Sequence, residues 1–136
     1  MTKVTRRKEG EKFKYFHLRE YKNKMSDILF KRIMRLLADG EFDIVITTKT
    51  RGEAGYIDYE TDSIYLNPKL FPIEETIIHE ALHILKPNLS EEDIVELSSL
   101  LFEQLNDNKR DRLISYIKAF STKWVGVKRS DIYATH

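Results

Sequence analysis

The chain has 136 residues, 41% hydrophobic and 33% charged, a balance typical of a single globular domain in water. It contains no cysteine, which excludes disulfide bonds and thiolate metal clusters, so any metal ligand must be His, Asp or Glu. No apolar run is long enough to span a bilayer, and the basic N-terminus lacks the apolar core of a signal peptide. We therefore expect one cytoplasmic domain, residues 1–136, with no membrane contact and with a flexible basic arm over residues 1–12.

The net charge of +1 hides an uneven distribution along the chain. Residues 1–24 hold nine Lys and Arg against three Asp and Glu, and residues 109–136 hold seven against two. The centre, residues 25–108, holds seven against seventeen. Two interpretations stay open: the basic ends contact nucleic acid or an acidic partner, or they are solvated and attract the acidic centre.

The first third of the chain predicts one clear helix. Residues 13–21 interleave aromatic and basic residues, which suits either stacking on single-stranded nucleic acid or a short strand or helix that packs its aromatic rings. Residues 25–37 place apolar side chains at i, i+3 and i+4 and so predict an amphipathic helix. Asn23 or Ser26 is its candidate N-cap, and Gly40 ends it.

Three short segments in the next third predict strands. Residues 42–48 are rich in β-branched side chains. Residues 56–59 and 63–67 alternate on either side of a polar turn, which predicts a β-hairpin. We expect these three strands to form a small antiparallel sheet.

Two helices are predicted after the hairpin. Pro72 suits the first turn of one helix, which must end before Pro87. Ser90, followed by three acidic residues, resembles the N-cap of the next helix, whose apolar stripe runs from Ile94 to Leu105.

A last helix is predicted over about residues 111–120, followed by a tail over residues 122–136. Trp124, the single tryptophan, is expected to dock on the domain. The fold class is therefore α+β: a sheet of about three antiparallel strands packed with an N-terminal helix, a central helix and two C-terminal helices.

The central helix carries the pattern His-Glu-x-x-His, with its histidines at His79 and His83 and its acid at Glu80. Side chains at i and i+4 share one face of a helix, so the two imidazoles can meet at one point. Such a pair suits a zinc ion, with Glu80 beside it as the base for a bound water. Two unliganded imidazoles in an apolar helix would carry a desolvation cost, which either a metal or exposure along a cleft removes.

A catalytic zinc usually has three protein ligands, so the third must come from elsewhere in the chain. The nearest acids are Glu91, Glu92 and Asp93, at the start of the next helix. Glu91 shares the stripe of Ile94 and Ser98, whereas Glu92 lies about 100° away and Asp93 about 200° away. Glu91 is the preferred third ligand and Glu92 the next; alternatively, all three acids simply favour the positive end of the helix.

These elements resemble the zincin metallopeptidases of the gluzincin type. The resemblance covers about residues 42–105: a hairpin strand at 63–67, the His-Glu-x-x-His motif, and then Glu91-x-x-Ile94 opening a helix. In several such families the third ligand is a Glu followed three residues later by a small or apolar residue, more usually Ala than Ile. The short chain looks like the minimal zincin-like proteins of phages and mobile elements.

The resemblance implies a zinc-dependent peptidase that acts on a protein or peptide. His79, His83 and Glu91 would hold Zn2+, and Glu80 would take a proton from the metal-bound water and pass it to the leaving amine. The substrate would lie extended along residues 63–67 as the edge of the sheet. A tyrosine would help to stabilise the oxyanion, and the candidates are Tyr56, Tyr59, Tyr65 and Tyr116.

Two other functions compete with a peptidase. The chain could be a zincin-fold binding or regulatory protein with little or no catalysis, touching nucleic acid through its basic termini. It could also be a helical interaction protein whose motif is accidental. The intact Glu80 favours a peptidase, because a structural zinc site needs no base, whereas the small size favours a binding protein, because little chain remains to build subsites.

Overall fold

The computed structural model describes the backbone of residues 8–132 and the side chains of residues 23–132. Three successive strands follow the first helix, and three successive helices follow those strands, which confirms the α+β class. In chain order the elements are α1 (Lys8–Ala38), β1 (Asp43–Thr47), β2 (Gly55–Asp58), β3 (Ser63–Leu66), α2 (Ile73–Leu85), α3 (Glu91–Gln104), α4 (Asp107–Phe120), β4 (Ser121–Val125) and a short 3-10 helix (Arg129–Asp131).

Helix α1 is far longer than the predicted helix over residues 25–37. It includes the aromatic and basic segment 13–21 and also residues 8–12, which were expected to belong to a flexible arm. Residues 1–7 of that expected arm lie outside the described part of the chain. No proline interrupts residues 8–24, and the Lys, Glu and Leu residues there are good helix formers.

The predicted caps of this helix are wrong because Asn23 and Ser26 both lie inside α1. Its C-terminal end agrees with the prediction, since Gly40 follows with a φ of +79°, a conformation that favours glycine. Although α1 spans 31 residues, no helix within residues 8–132 is both long and apolar enough to cross a membrane.

The sheet has four strands in the order β2-β3-β1-β4. The predicted hairpin is confirmed, since β2 and β3 pair antiparallel with Tyr56 opposite Tyr65. The prediction of about three antiparallel strands is wrong, because β1 runs parallel to both β3 and β4. Residues 44–46 of β1 are all buried, as is typical of an apolar strand flanked by parallel neighbours and covered on both faces.

The fourth strand was not predicted: it lies at the start of the segment described from the sequence only as a tail. β4 begins at Ser121, directly after α4, and pairs with β1 through an irregular register between Ile44 and Val45. Trp124 packs against the hydrophobic core, as predicted, and the Arg129 guanidinium lies 5.0 Å from the centre of its ring.

Helix α2 packs on β2 and β3, and α1, α3 and α4 pack against α2 to complete one hydrophobic core. α2 lies between Pro72 and Pro87 as predicted. α4 begins at Asp107, four residues before its predicted start, because the Asn106 side chain accepts a hydrogen bond from the Lys109 amide and caps the helix there. The fully buried side chains of α2 are Ile77, Ile78, Ala81 and Leu82.

The predicted cap of α3 is present: the Ser90 hydroxyl accepts a hydrogen bond of 3.1 Å from the Asp93 amide. Ser90→Ala removes this acceptor, and we expect a loss of about 1 kcal/mol in the free energy of unfolding, measured by urea denaturation. Ser99→Ala is the matched control because Ser99 is exposed in the middle of the same helix, where alanine is favoured. Equal losses in both variants would contradict the capping role.

Candidate metal centre

The two motif histidines project from one face of α2, as the i, i+4 spacing requires. Their Nε2 atoms lie 3.3 Å apart, and their rings meet edge to face with centroids 4.9 Å apart. Each side chain is about one-quarter exposed, so the pair lies at the surface of the core rather than inside it. The opposite side of α2 is fully buried, which fixes the rotation of the helix and therefore the direction of both imidazoles.

Glu91, the first residue of α3, completes the group. Its Oε2 lies 3.1 Å from His79 Nε2, and its Oε1 lies 2.8 Å from His83 Nε2. The connection from α2 is a tight turn in which the Leu89 amide donates to the Lys86 carbonyl. This turn and the cap at Ser90 start α3 directly beside the end of α2.

His79, His83 and Glu91 together form a group able to hold a metal ion, with all three ligand atoms within 4.8 Å of one another. The structure thus brings together the three residues predicted as ligands. Glu92 and Asp93 are exposed and lie outside any such group among the described residues. The same contacts also suit two neutral imidazoles that each donate one hydrogen bond to Glu91, and a metal ion would replace both protons.

Glu80 lies in the same cleft as the metal group, one residue beyond His79. Burial raises the pKa of its carboxyl to about 7, and the nearby carboxylates of Glu91 and then Glu53 add to this effect. A cation held by the histidines would act in the opposite direction, because it favours the charged carboxylate. The charge of the Glu80 carboxyl therefore depends on whether His79, His83 and Glu91 hold a cation.

The cleft has a volume of about 830 Å³ and is bounded by β2 and by helices α2 and α3. The strand along it is β2, whereas β3 lies inside the sheet between β2 and β1, so the expectation that residues 63–67 form the edge is wrong. On the outer side of β2 the backbone groups have no strand partner within residues 8–132. Among the described residues that line the cleft there is no Lys or Arg, and the apolar ones are Ala54, Ile57, Phe71, Val95 and Phe102.

The four candidate tyrosines occupy different places. Tyr56 and Tyr59 line the cleft, while Tyr65 stacks against Tyr56 with ring centroids 4.6 Å apart. Tyr116 belongs to a separate groove between α1 and α4. Burial raises the pKa of Tyr56, so its hydroxyl keeps a proton to donate at neutral pH.

Two features of the cleft were missed from the sequence. Gly55 allows β2 to approach α2, because a Cβ at this position would lie 2.5 Å from Thr76 Cγ2 and 2.6 Å from the Tyr65 carbonyl oxygen. A glycine at the start of a strand is a known signal of close backbone approach and could have indicated this contact. The Ser98 hydroxyl, on the cleft side of α3, is buried without a hydrogen-bond partner in the described chain.

No protein-family model, curated protein or solved structure matches this chain. Its function must therefore be inferred from the cleft itself.

Proposed function

We propose that the protein is a zinc-dependent peptidase in which His79, His83 and Glu91 hold the metal and Glu80 is the general base. One observation carries the proposal: the spacing of the ligand atoms, at 3.3 Å between the imidazoles and 3.1 and 2.8 Å to Glu91. Ligand atoms about 2.0–2.1 Å from one tetrahedral ion lie roughly 3.3 Å apart, so this spacing supports an ion with short bonds.

The types of ligand favour zinc among the common ions. Calcium and magnesium prefer sites built from oxygen atoms alone, whereas two imidazoles and one carboxylate form a typical catalytic zinc set. Three protein ligands also leave one position for water or substrate. A purely structural zinc site would need a fourth protein ligand, and the described residues offer none within the group.

Zinc bound at this site would supply Lewis acidity, which polarises a carbonyl group and lowers the pKa of water toward 7. Glu80 would accept a proton from the attacking water and transfer it to the nitrogen of the leaving amine. Tyr56 or Tyr59 would donate a hydrogen bond to the oxygen that becomes negatively charged.

A protein or peptide substrate would lie extended in the cleft and pair with the outer side of β2, which has no strand partner within residues 8–132. Apolar side chains from Phe71, Val95 and Phe102 would cover the substrate on the helical side. In this proposal the elements have the roles that they have in zincins: an edge strand binds the substrate, the motif helix supplies two histidine ligands and the base, and the following helix supplies a glutamate ligand.

Metal binding and hydrolysis test the proposal together. Purified protein is expected to bind one zinc ion and to cleave labelled casein or a mixture of quenched random-sequence peptides. Chelation should abolish cleavage, and added zinc should restore it. His83→Ala and Glu91→Gln should each lower zinc affinity by at least about tenfold in a competitive titration, because each removes a ligand. Glu92→Gln makes the same chemical change one residue away and should bind zinc normally.

Three outcomes would count against the proposal. If the wild-type protein binds no zinc, the proposed metal site does not exist. If the Glu91 and Glu92 variants lose zinc affinity equally, Glu91 is not a specific ligand. Zinc binding without cleavage of any peptide would instead favour a metal-stabilised binding or regulatory protein.

A further inference from the structure

A second concave surface lies between the C-terminal half of α1 and helix α4. We call it the basic groove; it has a volume of about 360 Å³, and its polar and aromatic lining includes Asp27, Lys31, Arg35, Lys109, Arg112 and Tyr116. None of the described residues lines both this groove and the metal-centre cleft. The two surfaces can therefore be tested separately.

The groove carries an excess of positive charge. Lys109 is neutralised by Asp27, with Nζ and Oδ1 2.9 Å apart, and the hydrogen bond from Lys109 lowers the pKa of that carboxyl. Lys31, Arg35 and Arg112 are exposed, and among the described side chains none has a carboxylate within 4.0 Å. Lys31 also lowers the pKa of Asp27 through its charge. Arg35 and Arg112, however, line the groove with no carboxylate within 4.0 Å in the described part of the chain, and the surplus of cations favours an anionic ligand there.

The groove also offers aromatic surface. Tyr116 is half-buried in its wall and meets Phe120 edge to face, with ring centroids 5.5 Å apart. Phe30 lies below Lys109, whose Nζ is 5.7 Å from the centre of the ring. A groove that combines arginine, lysine and a partly exposed aromatic ring is typical of surfaces that bind single-stranded nucleic acid.

We propose that the basic groove binds a short stretch of single-stranded nucleic acid. The guanidinium groups of Arg35 and Arg112 would contact backbone phosphates, since their forked donors match phosphate oxygens, and Lys31 would add a point charge. A base would stack against Tyr116. An acidic peptide would use the same cations but would leave the aromatic ring unused, so the combination favours nucleic acid.

The test is fluorescence anisotropy of a labelled single-stranded DNA about twelve nucleotides long at low salt. The double variant Arg35→Gln/Arg112→Gln is expected to bind at least about tenfold more weakly and to reduce the slope of log affinity against log salt by about 1.4. Arg32→Gln/Lys123→Gln is the matched control, because it removes the same charge at exposed positions outside the groove. Its affinity should fall by less than about threefold, the general effect of net charge.

Tyr116 separates stacking from simple charge attraction. Tyr116→Phe keeps the ring and should bind normally, whereas Tyr116→Leu should weaken binding by about tenfold with an unchanged salt slope. Thermal unfolding of each variant shows that it is folded. No binding by the wild type, equal losses in the two double variants, or competition by polyglutamate as effective as that by unlabelled DNA would each overturn the proposal.

Discussion

Glu80→Gln is expected to lower kcat/KM for peptide cleavage by about 10³-fold while zinc binding stays nearly unchanged. The amide has the size of the carboxylate but cannot accept a proton, and a general base typically contributes 10²- to 10⁴-fold to the rate. Glu80 is outside the His79, His83 and Glu91 group, so its replacement removes no ligand from the site. The prediction rests on the proposed peptidase activity and is measured with the substrates that reveal it.

The control is Glu96→Gln, the same chemical change on the exposed face of α3 and outside the cleft. It should leave both kcat/KM and zinc affinity unchanged. If Glu80→Gln cleaves peptides at the wild-type rate, Glu80 is not the general base. Loss of zinc in the same variant would show that Glu80 acts through metal binding instead.

The metal group could be predicted from sequence because its geometry is almost entirely local. The spacing of His79 and His83 follows from the pitch of one helix, and helical phase placed Glu91 rather than Glu92 toward that helix. Only five residues separate the end of α2 from Glu91, so few relative positions of the two helices were available. The turn through Lys86 and Leu89 then fixes the distance.

The sheet could not be predicted in the same way, because its parallel pairs join distant parts of the chain. Ile46 of β1 pairs with Leu66 and with Trp124, and neither partnership leaves a turn signal as the β2–β3 hairpin does. β4 has exposed Thr122 and Lys123 and too little apolar sequence to predict a strand by itself. The zincin resemblance assigned the cleft edge to residues 63–67, and the parallel pairing of β3 with β1 is what leaves β2 at the edge instead.

The ion-pair partners of the acidic residues in α2 could not be predicted from the sequence either. Glu74 and Glu75 both suit the positive end of the helix, and nothing local distinguishes them. In the structure Glu74 is buried and its Oε2 lies 2.7 Å from Nη2 of Arg110, which is 36 residues away, whereas Glu75 is more exposed and 3.5 Å from the same nitrogen. The hydrogen bond to Glu74 is the main cause of a raised pKa for Arg110.

Arg110→Met is therefore expected to destabilise the protein by about 2–3 kcal/mol in urea denaturation. It removes the cation that pairs with the Glu74 carboxylate, whose side chain is only 7% exposed. The value lies below the usual cost of breaking a buried pair because Arg110 is one-third exposed and its buried Nε has no hydrogen-bond partner in the described chain. Glu75→Gln, the control, should cost less than about 1 kcal/mol because Glu75 is the more exposed and more distant acid.

The double variant Glu74→Met/Arg110→Met tests whether the loss of stability in Arg110→Met comes from the unpaired, buried charge of Glu74. Removing both charges also removes the desolvation cost, so the double variant should be more stable than Arg110→Met alone. A double variant that loses the sum of the two single losses would show that the side chains contribute by packing rather than as a pair. The pair joins the start of α2, five residues before His79, to α4.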